Sequence, residues 1–383
     1  MRILYITEDF AGTKVHHNLV SNIQKQGVDV TVFAVLRGRL RKFDFENEYG
    51  EIGYHLRTYK IPDSIQRRYK LDFNFKTKIK YKALIEQCGD ISRFDLVHAS
   101  TLFSDGAIAL KIFKEFGVPY ISAIRGTDID LYMRKMVHLW VTGHKIIKNS
   151  QSLPIMTPMA FKNCLKCIST LGIRREIKSK SIVVPNGIDN IWIENSNFVR
   201  KRNGNDTFKY IYVGRFDTNK NAENLIKAII NIHSKGYKVS LTLIGASGPC
   251  EQHIIKLCSA YPECLSFKGH IKDRLQLLKI LREHHAFAMV SHSETFGLSY
   301  IEALSQGLPI LYSKNTGIDG FFESKIGEGV QPKSISEIEH GLIKIIQNYK
   351  NYNFISKELP SLNWKSVSVD YFKIYKRLVT ERK

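Results

Sequence analysis

Two acids eight positions apart, Glu294 and Glu302, enclose Phe296 and Gly297 in the stretch SHSETFGLSYIEALSQGLP, residues 291 to 309. A glycine at 297 lets the backbone turn so that the amides of Gly297, Leu298 and Ser299 open a helix, and free first-turn N–H groups attract anions such as phosphate. Glu302 follows about one and a half helical turns later. Each oxygen of a carboxylate takes a strong hydrogen bond from a hydroxyl. That chemistry suits the vicinal hydroxyls of a ribose at Glu302 and those of a second sugar at Glu294. The plain alternative is one solvated glutamate and one at a helix start. Arg215 and Lys220, in VGRFDTNKN, follow a strand end at Gly214 and precede a helix. Two cations at a helix mouth make a diphosphate site, or else a solvated turn in a basic chain. Weaker signals are Gly245 and Gly248 in LTLIGASGP, and LSFKGHIKD, where the backbone after Gly269, at His270 and Ile271, either meets a base edge or simply ends a strand.

Such groups need elements that hold them. RILYIT, VDVTVFAV, DLVHAS, PYISAIRG, SLPIMT and SIVVPNG read as strands in the first half, with FKYIYVG, VSLTLIG, CLSFKG, AFAMVS and PILYSK in the second. Amphipathic stretches alternate with them, among them HHNLVSNIQKQG, DGAIALKIFKEFG, NAENLIKAIINIHSKG and RLQLLKILREH. Near-continuous apolar strands between helices predict α/β parallel sheets covered on both faces, with ligand loops at the carboxyl ends of the strands. The polar, asparagine-rich run at residues 189 to 208 reads as a linker between two doubly wound domains.

The 383-residue length favours two domains, and 43% hydrophobic with 24% charged residues fits a globular chain. MRILYITEDF is too short in apolar run to be a signal peptide, and no stretch is long enough to span a membrane. Six cysteines without disulfide-rich spacing point to a reducing cytoplasm, and Cys164-x-x-Cys167 reads as helix rather than a metal site. The formal charge of +21, with 30 Lys and Arg against 18 acids in residues 1–190, favours anionic partners. Nucleic acid is not expected, because no nucleic-acid module is visible. RGRLRK (37 to 42) and QRRYKLDFNFKTKIKYK (66 to 82) mix cations with aromatics, as a segment docking on an anionic membrane surface does, and equally as a solvated helix face does.

Glu294-x7-Glu302 with Phe296-Gly297 between them, VGRFDTNKN, VVPNGID and the C-terminal NWKSVSVDYFKIY together resemble retaining nucleotide-sugar glycosyltransferases of the GT-B fold, group 1 or family 4 type. The resemblance covers most of the chain. It implies two Rossmann-like domains facing a cleft: an acceptor domain at 1–190, a nucleotide-sugar domain at 191–360, and a C-terminal helix at 361–383 crossing back to the first. It implies that Arg215 and Lys220 neutralise the donor diphosphate and that Gly297 to Ser299 supply amides to it. Glu302 would hold the ribose, Ile271 the base, and Glu294 with Phe296 the donor sugar. No tightly bound cofactor or metal is implied, only the nucleotide sugar as donor substrate. The leaving phosphate would take the proton of the incoming hydroxyl.

The first domain departs from the family pattern. A single glycine, Gly12, precedes Thr13 where the family has a Gly-Gly donor loop, and Arg125 stands where His-Gly is usual. Arginine stays protonated, so Arg125 binds oxygens but is no general base. His98 reads as a satisfied strand-end histidine, His16 and His17 as solvated helix positions. The reading is thus a cytoplasmic, membrane-peripheral hexosyltransferase moving sugar from a UDP-sugar to a lipid-linked, surface-polysaccharide or lipopolysaccharide acceptor. Its alternatives are a nucleotide-sugar epimerase, a phosphorylase, or a non-catalytic glycan- or nucleotide-binding partner.

Overall fold

Strand β1, Arg2–Thr7, sends Ile3 and Tyr5 into one apolar cluster and Leu4 and Ile6 into another. That is the period-two alternation of a strand buried on both faces. The computed structural model describes residues 1–199, 206–245, 248–353 and 355–381. They form two units, Met1–Gly187 with Trp364–Lys383, and Ile188–Asn363.

In the first unit β1 is joined by β2 (Asp29–Leu36), β3 (His55–Lys60), β4 (Leu96–Ala99) and β5 (Tyr120–Ser122), all parallel, in the order β3-β2-β1-β4-β5. A further pair, β6 (Leu153–Ile155) and β7 (Ser181–Val183), is bridged to the β5 region through Ile121 with Ser152 and Ile124 with Ile155. Helices Phe73–Cys88 and Gly106–Phe116 cover one face, and Lys14–Gln24 with the C-terminal helix Trp364–Thr380 covers the other.

The second unit has a six-stranded parallel sheet: β8 (Phe208–Val213), β9 (Val239–Ile244), β10 (Leu265–Phe267), β11 (Ala286–Ala288), β12 (Ile310–Ser313) and β13 (Gly327–Val330), in the order β10-β9-β8-β11-β12-β13. The strand order reverses between β1 and β4 in the first sheet and between β8 and β11 in the second. Loops leaving the carboxyl ends of neighbouring strands diverge there and leave a crevice, the place where open α/β sheets bind ligands.

Strands β3 and β13 escape the sequence reading because HLRTYK and GEGV, each at a sheet edge, are polar or glycine-rich. The stretch at 189 to 208 is not a free linker. Asn190–Glu194 is helical, Trp192 is buried in the second unit's core, and Asn197 N–H donates to Ser305 O; residues 200–205 lie outside the described residues. The basic run at 66 to 82 forms helices Gln66–Leu71 and Phe73–Cys88, which turn Tyr69, Lys76, Lys80 and Tyr81 inward. Those four side chains are therefore not available to a docking surface. The side chains of Arg39 and Arg41 lie outside the described residues. Cys164 donates to Met133 Sδ and Cys167 to Asn163 O, as ordinary buried thiols. No helix among the described residues is long and apolar enough to cross a membrane.

Candidate functional site

The loops after β8 and β11 are laced together at the second unit's switch point. Asn219 Nδ2 donates to Ser293 O at 2.9 Å, Ser293 N–H returns a bond to Asn219 Oδ1 at 3.1 Å, and His292 N–H donates to Asn219 O at 2.7 Å. Asn221, in the left-handed region at φ 53, starts the helix Ala222–Ser234, and its Nδ2 bonds Val290 O and Pro332 O. That fastening fixes Lys220 at the helix mouth. Its Nζ donates to Glu294 Oε1 at 2.5 Å, and Ser291 Oγ donates to the same oxygen at 2.8 Å. Both side chains are largely shielded, so ammonium and carboxylate hold each other in a half-dry recess.

Glu294 is also gripped through its backbone. Its N–H donates to Thr316 Oγ1, and its carbonyl accepts from Gly317 N–H at 3.0 Å. Gly317 sits at φ +52 with its Cβ position 2.8 Å from Glu294 Cβ, so a side chain there would push the carboxylate away. Gly297 adopts φ 89, and a Cβ on it would strike the Tyr300 ring. It opens the helix Leu298–Ser305, whose first-turn amides receive no side-chain cap among the described residues. Arg215 is mostly exposed, with Nε 3.7 Å from Asp217 Oδ2.

Glu302 rides on the same short helix and has no hydrogen-bond donor to its carboxylate among the described residues. Burial pushes its carboxyl up to about 7, with the Arg274 charge pulling the other way. A carboxyl whose folded pKa lies above its ordinary value gives stability that is complete below the ordinary carboxylate range and lost as pH rises through about 7. Glu302 alone therefore contributes a downward slope to the free protein's melting temperature between about pH 5 and pH 8, against the upward slope contributed by the buried, neutral His16 and His98. Glu302→Gln should remove that downward contribution, and an unchanged slope in a melting series would sink the assignment.

Phe296 departs from its expected role. Its ring is buried, edge-on to Phe321 at 5.1 Å between centroids, so only its backbone is left for a ligand. Ile271, after β10, packs partly buried against the core. Gly245 and Gly248 serve packing: Cβ atoms there would collide with Gly214 O and with the Phe216 backbone, and Ala246 and Ser247 lie outside the described residues.

At the first unit's switch point, Gly12 has an unstrained backbone and ordinary space around it. Thr13 spends its hydroxyl capping the helix Lys14–Gln24 through Val15 N–H. Arg125 Nε donates to Ser100 O at 3.0 Å, its N–H donates to Asp128 Oδ2 at 2.9 Å, and its side chain bonds Tyr371 of the C-terminal helix. Asp128 also accepts from Leu102 and Phe103 N–H, while burial raises its carboxyl to about 6. His16 is not solvated: it bonds Tyr5 OH at 2.6 Å, and burial with the Arg125 charge lowers it to about 3, so it is neutral. His17 bonds Tyr54 OH and stacks on Tyr49. His98 Nδ1 bonds Tyr375 OH at 2.6 Å, but its buried Nε2 has no partner among the described residues, so it is satisfied on one side only.

Beneath these lies a cluster absent from the sequence reading. Glu8 pairs with Lys76 at 2.9 Å and Lys80 at 3.1 Å, Lys80 also pairs with Asp105, and Tyr69 OH donates to Glu8. Ser100 and Thr101 hydroxyls complete Asp105. The one sequence cue is Glu8-Asp9 directly after an apolar strand, where a carboxylate at the carboxyl end of β1 invites a cation.

Two doubly wound parallel units of this topology define the GT-B class of α/β fold. The model of "Glycosyl transferases group 1" matches residues 194–359, and that of "Glycosyltransferase Family 4" matches 12–152. The chain belongs to the group 1 glycosyltransferases. It is 25% identical over 271 residues to glycogen synthase of Mycobacterium tuberculosis, covering 67% of this chain and 61% of that one, so it spans less than two thirds of that relative's length. Alpha-monoglucosyldiacylglycerol synthase of Acholeplasma laidlawii is 25% identical over 369 residues, covering 89% of this chain and 85% of that one. Among solved structures, HepE of Anabaena in complex with UDP and glucose superposes with a TM-score of 0.66 at 14% identity, covering 98% of this chain and 100% of that one.

Proposed function

We propose that the chain is a retaining glycosyltransferase that moves a sugar from a UDP-sugar to a lipid-linked or surface-polysaccharide acceptor. The observation that carries this reading is the β8–β11 crevice, where Lys220, Glu294, uncapped helix amides and the donorless carboxylate of Glu302 stand together. A nucleoside diphosphate sugar brings the complement of each: phosphates for the cation and amides, ribose hydroxyls for Glu302, sugar hydroxyls for Glu294. In the transfer, the acceptor oxygen bonds to the anomeric carbon on the face from which the diphosphate leaves. A departing phosphate oxygen takes the hydroxyl proton, and Lys220 and Arg215 balance the charge that develops. The uridine donor is supported by the UDP and glucose bound to HepE, and a lipid acceptor by the similarity to the glucosyldiacylglycerol synthase.

The test is a thermal-shift panel with UDP, GDP, ADP and TDP on the natural chain and on Arg215→Ala. A ligand specific for the folded state adds about 2.7 kcal/mol at about 100 times its dissociation constant. The expected result is a rise with UDP alone that shrinks in Arg215→Ala. No rise with any of the four removes the transferase reading. A rise with UDP but no transfer to any acceptor leaves an epimerase or a binding partner.

A further inference from the structure

Between Arg134 and Lys180 the sequence places ten Lys and Arg and one acid, Glu176, a balance of +9 in 47 residues. The structure folds this stretch into one corner of the first unit, where the helices Trp140–Asn149 and Arg174–Lys180 and the turn Ile168–Ile173 pack on one another. His144 Nε2 meets Ser169 O at 2.5 Å, and Lys180 Nζ caps the carbonyls of Ile147 and Lys148, which holds the three pieces as one surface.

The same corner exposes apolar side chains. Val137 is 62% exposed, Val141 64%, Ile168 72% and Leu171 59%, four of the seven exposed large apolar residues described in this unit. Val137 and Val141 are four residues apart on one helical face, and Lys145 and Lys148 continue that face one and two turns on. Ile168 and Leu171 are three apart in a 3-10 turn, where such residues eclipse. Lys135, Lys145, Lys148, Lys166, Arg175 and Lys178 are all exposed, and none has an acidic partner among the described residues.

We propose that this face docks on the surface of an anionic lipid bilayer, with Val137, Val141, Ile168 and Leu171 entering the headgroup boundary and the cations seated on lipid phosphates. Apolar tips ringed by lysine and arginine, with almost no acid, are the pattern for which an anionic bilayer supplies both halves. A second copy of this chain is disfavoured, because two such basic faces repel. A nucleic acid would meet the cations and leave the aliphatic side chains in water. The face is separate from residues 66 to 82, whose Lys76 and Lys80 are committed to Glu8. It does not depend on the proposed reaction, since vesicle binding requires no donor.

The experiment is co-sedimentation of the full chain with phosphatidylcholine vesicles and with vesicles that also contain about one third phosphatidylglycerol, enough to set an anionic surface potential. The natural chain should bind only the anionic vesicles. Lys145→Glu with Lys148→Glu should weaken binding by roughly thirtyfold or more, given the attraction of each lysine to such a surface. Ile168→Ser with Leu171→Ser should weaken it by roughly tenfold through lost apolar burial. Lys70→Glu with Leu71→Ser should leave it unchanged. Equal binding to both vesicles, no binding, or a loss confined to the Lys70 and Leu71 pair overturns the proposal. So does an unchanged Ile168 and Leu171 pair, which would mean adsorption by charge alone, as does self-association through this face in sedimentation velocity. The melting temperature of each variant without ligand, against that of the natural chain, confirms that the variants fold. A chain that binds vesicles but responds to no nucleotide keeps this inference and loses the transferase reading.

Discussion

Lys220→Ala should reduce sugar transfer by roughly 10²–10³-fold, the loss typical when one preorganised partner of a developing charge is removed. The ammonium stands at the mouth of the helix Ala222–Ser234, and Asn219 and Asn221 fasten its loop to the neighbouring β11 loop. In the free protein it rests on Glu294 Oε1 at 2.5 Å, which holds it at the recess before a diphosphate arrives. Glu294 keeps its Ser291 bond in the variant, so the melting temperature should drop by only a few degrees. Glu294→Gln should impair transfer comparably while leaving UDP affinity within a few-fold, because the carboxylate faces sugar rather than phosphate in the proposed pose. Measurement of turnover and UDP binding on both variants separates the roles. Full turnover in Lys220→Ala would remove the charge-balancing assignment.

The parts of this protein that are legible in its sequence are those where one local pattern has one physical solution. Apolar runs such as FKYIYV and VSLTLI have no stable place except inside a covered sheet, and the glycine in ETFG announces a tight helix start, which the chain makes at a φ of 89 that favours glycine. What stayed hidden depends on residues far apart in the chain. Asn219 reads as a loop asparagine until the fold sets it against Ser293, 74 positions away. Phe296 is a ligand residue only by the family resemblance, and packing against Phe321 shows that its ring belongs to the core. The basic run at 66 to 82 shows the same limit most sharply. A lysine in sequence looks solvated, yet Lys80 is fully buried, because carboxylates from β1 and from the loop after β4 converge on it.

That convergence carries the largest expected effect on stability. Lys80→Ala should cost about 3–5 kcal/mol, the usual result of leaving buried charge without its partner. The corresponding fall in melting temperature is roughly 10 °C for a unit of this size. Two carboxylates, Glu8 and Asp105, would remain in a pocket almost closed to water. Burial by itself would raise the Glu8 carboxyl, but Lys80 and Lys76 outweigh it and hold it at about 2. A depressed carboxyl gives stability that is present above the ordinary carboxylate range and lost as pH falls through about 2. In the natural chain, then, this pairing stays intact through mild acid. In Lys80→Ala the dependence should reverse, with stability recovering as pH drops toward about 5, because a proton can replace the missing ammonium. A quadruple variant, Glu8→Gln with Lys76→Met, Lys80→Met and Asp105→Asn, should recover much of the loss, since it removes all four charges together. Denaturation curves at two pH values distinguish these outcomes. If Lys80→Ala melts with the natural chain at both, water reaches the pocket and the cluster is not the buried ionic pin of the β1–β4 switch point.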